Sequence, residues 1–232
     1  GLVTAADFPD GIRCDRWIET GSEVSAWYDP LLAKLIVHGR DRADVIAKSE
    51  RALAASRVAG FETNLLLLRD VLKLEKFRSG EVSTALLREF AYAAPTFEVL
   101  APGAQTTVQD YPGRLGCWDV GVPPSGPMDD YHFRLANRIV GNAENAPGLE
   151  MTLSGATLRF NCKTLIAVTG GDFPLKLNNI LVERNRPCEV HPGDVLKIGV
   201  TRCGQRCNLA VRGGIDVPEY LGSRSTFTLG RF

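Results

Sequence analysis

The chain is poor in histidine and has no paired metal-ligand motif. Only His38, His132 and His191 occur, and none of the six cysteines forms a C-x-x-C pair. Cys203 and Cys207 stand four apart with no histidine at ligand spacing, so the donor pattern of a zinc site is missing. Reduced, mostly buried thiols in a cytosolic protein are the simpler reading. No G-x-G-x-x-G opens a helix: Gly170-Gly171 and Gly213-Gly214 lack both the order and the following helix that a phosphate cradle requires. No G-x-S-x-G elbow occurs either, and Ser125 with His132 nearby does not by itself make a partnered nucleophile. Neither charge is in excess, with 27 Lys plus Arg against 27 Asp plus Glu. That balance argues against a nucleic-acid binder or a membrane-surface protein. No apolar run reaches the ~18 residues of a transmembrane helix. The chain opens Gly-Leu-Val-Thr, without an initiator Met or a signal sequence, and both ends are expected to continue into a longer polypeptide.

What is present is an ordinary globular composition, 44% hydrophobic and 23% charged, over 232 residues, enough for one large or two small domains. Patterning divides it at residues 91–96, which read as a linker, giving expected domains at 1–93 and 94–232. In the first, Gly11 to Asp15 alternates like a strand, Gly21 to Trp27 is extended, Tyr28-Asp29-Pro30 turns, and Leu31 to Val37 reads as a buried strand. Asp41 caps a helix running from Arg42 to about Ser56, Asn64 opens a second, and a third is expected from Ser83 to Phe90. The result is an α+β unit. Two charges in it invite attention, Arg13 and Lys34. Each either reaches the surface or pairs with a carboxylate, or supplies a fixed cation to a developing oxyanion or enolate, and spacing leaves both readings open.

The second part is mainly β. Runs at 97–100, 106–109, 156–160, 164–169, 175–177, 195–198 and 208–211 are strand-like, punctuated by turn chemistry at Asn178-Asn179 and Pro192-Gly193-Asp194, which suggests a barrel or sandwich. Its organising stretch is Thr106 to Asn142. There a Pro- and Gly-rich loop follows a strand end. It leads into a helix expected to begin at Pro127 and to carry Met128, Tyr131, Leu135 and Ile139 on one face, with Asp129, Asp130 and Arg134 toward water and Gly141 at its end. Such a long loop is either a binding element or a stiffened cover for a sheet edge.

Motifs in both parts carry resemblances. G-I-R-x-D at Gly11–Asp15, Tyr28-Asp29-Pro30-Leu31-Leu32-Ala33-Lys34-Leu35-Ile36, Gly39-x-Asp41-Arg42, Arg51-Ala52-Leu53 and Gly60-x-x-Thr63-Asn64 resemble the C-terminal domain of biotin carboxylases, over about residues 1–89. By that resemblance Arg13 matches the arginine that lies beside bicarbonate and biotin and stabilises the biotin enolate. Thr107-Val-Gln-Asp110, Pro112-Gly113-Arg114-x-Gly116, Gly121-Val122-Pro123-x-Ser125-Gly126-Pro127-Met128-Asp129, Ala136-Asn137-x-x-Val140-Gly141-Asn142, Leu149-Glu150 and Gly222-Ser223-Arg224-Ser225-Thr226 resemble the family of allophanate-hydrolase-subunit-2-like proteins. That family is built from cyclophilin-like β-barrels and includes the carboxyltransferase domain of urea carboxylase and a subunit of bacterial 5-oxoprolinase. The match implies that about the first half of that domain is present.

Fusion of the two in this order resembles the urea carboxylase family. The resemblance implies a ligase that makes allophanate from urea, bicarbonate and ATP through carboxybiotin, with this segment inactive alone. Biotin would sit on a carrier domain outside the segment, and ATP and magnesium would be used by an ATP-grasp domain of the same polypeptide and not bound here. An allophanate hydrolase domain or protein is a further implied partner, and the location is cytoplasmic. Gln109, Asp110, Arg114, Ser125, Asp129 and Glu150 have the functional groups needed to hold urea and are the substrate-binding candidates; no metal ligands are expected. Asp110 and Arg114 could instead pair with each other and fix the loop, and Glu150 could instead serve in capping or pair with Arg138. Two alternatives stand beside this reading: a guanidine or other urea-analogue carboxylase, and a non-catalytic binding or regulatory barrel module related to 5-oxoprolinase subunits.

Overall fold

The computed structural model describes residues 1–27, 29–88, 90 and 92–230, which form two compact units, Gly1–Ala94 and Pro95–Phe232. Tyr28 of the expected turn, Glu89 of the expected third helix and Ala91 of the expected linker lie outside the described residues.

The first unit is α+β. Strand β1 (Ala5–Asp7) pairs antiparallel with β4 (Arg57–Ala59), and β2 (Arg13–Arg16) pairs antiparallel with β3 (Ala33–Ile36). Between them run α1 (Arg42–Ala55) and, after β4, α2 (Leu65–Val71) and α3 (Glu75–Ser79). The Asp41 side chain accepts from the Asp44 N–H and fixes the start of α1, as its position before the periodic run predicts. Ile46, Ala52 and Leu53 are the residues that α1 buries, while Val3, Ala6 and Ile18 form a small core with Phe8, Leu32 and Phe61. Two expectations fail here. Residues 84–88 form turns, not a helix, and the third helix lies earlier, at Glu75, ending at Gly80 with φ +90°. The stretch from Gly21 to Trp27 makes one isolated bridge, Leu2 to Glu23, and no strand.

The second unit is a sandwich of two open five-stranded sheets. One has the order β11 (Ile180–Val182), β10 (Leu175–Leu177), β13 (Val195–Ile198), β8 (Thr157–Phe160), β5 (Phe97–Ala101). The other runs β12 (Cys188–Val190), β9 (Thr164–Asp172), β14 (Cys203–Val211), β7 (Gly148–Thr152), β6 (Gln105–Gln109). Only β6–β7 and β10–β11 follow each other within one sheet; every other connection crosses between the sheets, so no ladder closes them into a barrel among the described residues. Leu158, Phe160, Leu196 and Ile198 of one sheet meet Met151, Ile166, Val168 and Leu209 of the other in a single core.

The outer face of the second sheet is covered by α4 (Asp130–Ile139), with Ala136 and Val140 packed on Ala167 and Ala210. The helix starts three residues later than the Pro127 expectation, because Asp129 caps it by accepting from the His132 N–H. Its apolar face is therefore also turned: Phe133, Ala136 and Val140 are buried, while Met128 and Tyr131 are 76% and 64% exposed. Asn137 and Asn142 staple the helix end, with Asn137 donating to Ala146 O at 2.8 Å and Asn142 to Val211 O at 2.8 Å.

Candidate functional site

Six of the seven candidate residues lie in the second unit, and they fall into two linked clusters. The first is built on the end of β6. The Asp110 carboxylate accepts from Ser223 Oγ at 2.5 Å, from Ser225 Oγ at 2.6 Å and from the Arg224 N–H at 2.7 Å. Thr226 N–H continues the seam to Val108 O at 2.8 Å. Arg114, a fully buried arginine, takes the same segment from its other side, donating from Nε to Tyr220 O and from Nη2 to Ser225 O, both at 2.9 Å. Asp110 and Arg114 thus both fasten residues 220–226.

The loop is closed on itself by backbone contact. A Cβ on Gly113 would lie 2.6 Å from Pro124 O, and one on Gly126 would lie 2.7 Å from Pro112 O. Both glycines have positive φ, +92° and +81°, so this approach needs glycine twice over. Ser125 sits in the left-handed region at φ +53°, a strained position for a side-chain-bearing residue and one found at binding sites and tight turns alike.

The second cluster lies beneath the first turn of α4. Glu150 is 3% exposed; its Oε1 accepts from the Asp129 N–H at 3.1 Å and its Oε2 faces Arg206 Nη1 at 3.2 Å. Of the two alternatives for Glu150, the capping contact at the start of α4 is present, whereas its charged partner is Arg206 and not Arg138, which faces Glu144. Arg206 lies in register with Thr152 on the neighbouring strand and also donates to its Oγ1. The Asp129 carboxylate holds His132 Nδ1 at 2.8 Å. Gln109 donates from Nε2 to Thr107 Oγ1 at 3.0 Å, and its Oε1 is buried with no hydrogen-bond partner. Burial first, and then the charge of Glu150, push the Cys207 thiol up to about 12.

Arg13 belongs to the first unit. It lines a hollow of about 380 Å³ together with Gly11, Ile12, His38, Lys48 and Arg51. Its Nε and Nη2 are held bidentately by Asp15 at 2.8 and 2.9 Å, which keeps the Asp15 carboxyl below the usual carboxylate range. Lys34, the other charge singled out, is exposed on β3 opposite Asp15.

Sequence reasoning missed Arg206, Ser223 and Ser225 as partners, and missed the buried amide of Asn208. A signal existed for Asn208: it is a lone amide in the apolar run Cys207–Val211, much as Glu150 stands in Gly148–Thr152. Among the described residues no three His, Cys, Asp or Glu side chains group as a metal site.

Known proteins match both units. Residues 1–89 match the biotin carboxylase C-terminal domain, and residues 120–232 match the carboxyltransferase domain, subdomain A and B. The urea amidolyase of Lachancea kluyveri is 54% identical over 230 residues, 99% of this chain and 13% of that protein. That of Saccharomyces cerevisiae is 49% identical over 99% of this chain and 12% of its own length. The crystal structure of the Kluyveromyces lactis urea carboxylase superposes with a TM-score of 0.86 at 53% identity, over 97% of this chain and 20% of that one. This chain thus spans about an eighth of the curated relatives it matches. The similarity runs unbroken through both units, and the chain belongs to the urea amidolyase family.

Proposed function

We propose that this chain is the junction of a urea carboxylase, in which residues 1–93 complete a biotin carboxylase and residues 94–232 begin the carboxyltransferase that forms allophanate from urea. One observation carries this reading: a single continuous match at 54% identity crosses from one unit to the other. Proteins that share only one unit would not produce it. Biotin, when bound, supplies a carrier for an activated carboxyl group. In this reading ATP and magnesium are used by an ATP-grasp domain elsewhere on the polypeptide, and biotin is carried on a carrier domain. Bicarbonate and urea are the small partners, an allophanate hydrolase domain or protein consumes the product, and the setting is cytoplasmic. No described helix is long and apolar enough to cross a membrane.

Within this reading the second unit binds and orients the acceptor. The amide nitrogen of urea is a weak nucleophile, so a dry site that fixes it against the reacting carboxyl group supplies most of the acceleration. Gln109, Ser125, Asp129 and Glu150 lie on or beside the loop and helix turn that would form such a site, and Asp110 with Arg114 keeps that loop in place. Asp15 occupies the Nε–Nη2 edge of the Arg13 guanidinium, which leaves its Nη1 side to meet an anion.

The test is bicarbonate-dependent ATP hydrolysis by the full-length enzyme with urea, guanidine and 5-oxoproline supplied separately. Stimulation by urea alone is expected. Stimulation mainly by guanidine would change the substrate, and no stimulation by any of them would remove the carboxylase reading.

A further inference from the structure

The two sheets of the second unit are finished differently. α4 covers the outer face of one, whereas no described helix packs on the outer face of the other, β11-β10-β13-β8-β5. On that bare face Lys176 of β10 and Lys197 of β13 stand directly opposite each other, with Leu181 beside Lys176 and Thr157 beside Lys197. Both lysines are exposed and point outward, since the adjacent Leu175, Leu196 and Ile198 turn into the core. Like charges directly opposite across an antiparallel ladder destabilise it. Guarding an open edge is the usual task of a lysine on a sheet, but β10 and β13 are the second and third strands of five. Neither lysine has an ion-pair partner among the described residues. Arg159, the next cation on this face, is already compensated by Glu98 at 3.1 Å.

A hollow of about 430 Å³ opens beside Lys197, walled by Thr157, Asn178, Asn179 and Val195. Its wall is fixed by the turn between β10 and β11, where Asn178 and Asn179 both lie in the left-handed region, at φ +51° and +68°. Asn178 commits its amide to Asp194 Oδ1 at 2.7 Å and to the Val195 N–H at 2.9 Å. The Thr157 hydroxyl and the Asn179 amide have no partner among the described residues. The hollow therefore offers two neutral donors beside a cation, a set that suits a carboxylate. Ile180 and Leu181, 71% and 69% exposed, extend the face with apolar surface. A free anion leaves that surface in water; a folded segment carrying an acidic side chain covers it and the lysines together.

We propose that this sheet face is a docking surface for an acidic segment of the same polypeptide lying outside residues 1–232. The segment sets an Asp or Glu carboxylate between Lys176 and Lys197 and apolar side chains on Ile180 and Leu181. The choice of occupant rests on the reading above, in which this chain is one part of a longer carboxylase. Its relatives are about eight times its length, so most of the polypeptide is available to cover the face. Charge complementarity selects the acidic segment. One carboxylate shared by both lysines turns a repulsive contact into an attractive network, which holds the carboxyltransferase unit against its neighbour.

The test uses the full-length enzyme. Zero-length carbodiimide coupling joins a lysine amine to a carboxylate in contact with it. The monomer-sized band of a denaturing gel should yield peptides linking Lys176 or Lys197 to an Asp or Glu outside residues 1–232. Acetylation of the two lysines should run at least about fivefold slower than that of Lys163, a 63% exposed lysine of the same unit, because a covered amine meets the reagent only when the docked segment opens. Salt at about 1 M should remove most of that difference, since it screens ionic contacts beyond about 3 Å. The double variant Lys176→Gln with Lys197→Gln should speed amide hydrogen exchange across Ile180–Val182, whereas relief of the like-charge contact alone would slow it. No link outside residues 1–232, links only in a dimer-sized band, acetylation as fast as at Lys163, or slower exchange in the double variant would each overturn the assignment. Urea-stimulated ATP hydrolysis is measured on the same preparation. A urea-responsive enzyme with freely acetylated lysines removes only the docking surface, whereas the predicted links in an enzyme that ignores urea keep the surface and remove the carboxylase reading.

Discussion

Asp110 and Ser225 hold each other reciprocally across 115 residues of chain. The Asp110 N–H donates to Ser225 Oγ at 3.0 Å, and the same hydroxyl donates to the Asp110 carboxylate at 2.6 Å. Ser223 Oγ and the Arg224 N–H fill the remaining carboxylate positions. One side chain therefore replaces strand pairing where β6 ends and the loop begins. Asp110→Ala should destabilise the second unit by about 3 kcal/mol, the scale expected when hydrogen bonds to a charged group are lost and their buried donors are left open. Denaturant unfolding of the variant checks this, and a loss of under about 1 kcal/mol would mean the seam is held elsewhere.

The contrast between Asp110 and Asn208 shows what a sequence can and cannot disclose. Asp110, Arg114 and the Gly222–Thr226 motif stood out by their residue types, and they do meet. Their partnership did not stand out, because a contact across more than 100 residues leaves no periodic trace. Asp41 and Gly141 were readable as helix ends, since capping is local chemistry. The start of α4 was not, because Pro127 and Asp129 both suit a helix start, and only the His132 N–H shows which one acts. Strands β7, β11 and β12 carried no clear alternation. β7 is almost wholly buried on both faces, under α4 and over the core, so polar residues do not mark an outer side. β11 and β12 are three-residue edge strands, too short for a pattern.

Glu150 and Arg206 give a second prediction. Glu150 is buried and Arg206 is only partly exposed, so removing one partner strands the other. Glu150→Gln is expected to cost about 3 kcal/mol and to loosen the first turn of α4, whose Asp129 N–H it holds. The double variant Glu150→Gln with Arg206→Met should recover part of that loss, since removing both charges leaves none stranded. A double-mutant cycle on the full-length enzyme measures the coupling. Strict additivity would show that the two residues act independently.

Cys207 should be chemically silent in the folded protein while Cys203 is not. The Cys207 thiol is buried and pushed up to about 12, so almost no thiolate exists at neutral or mildly alkaline pH, whereas Cys203 is exposed. Alkylation at pH 8 followed by peptide mapping should label Cys203 and spare Cys207 until denaturant is added. The same shift has a stability consequence. The native state keeps the proton that the unfolded chain releases above its ordinary value of 9.0. The unfolded state then binds fewer protons than the native one, so stability is full below about pH 9 and falls as pH rises from there toward 12. Rapid native-state labelling of Cys207 would contradict both expectations.

Arg13 and Asp15 set the last prediction, because their pairing bears on the role the resemblance implies. Both are surface residues on the short strand β2, and their pairing contributes little to the fold. Arg13→Ala should therefore leave the melting temperature of the full-length enzyme where it is. If Arg13 nonetheless acts beside biotin, the same variant abolishes bicarbonate-dependent ATP turnover with free biotin, and Asp15→Ala, which frees the guanidinium, preserves or raises it. The Asp15 carboxyl is held low first by the hydrogen bond from Arg13. The Asp15 carboxylate therefore stays ionised, and able to pair with Arg13, to lower pH than an unpaired aspartate. Unchanged turnover in Arg13→Ala would assign the arginine to surface pairing and leave the biotin site to residues outside this chain.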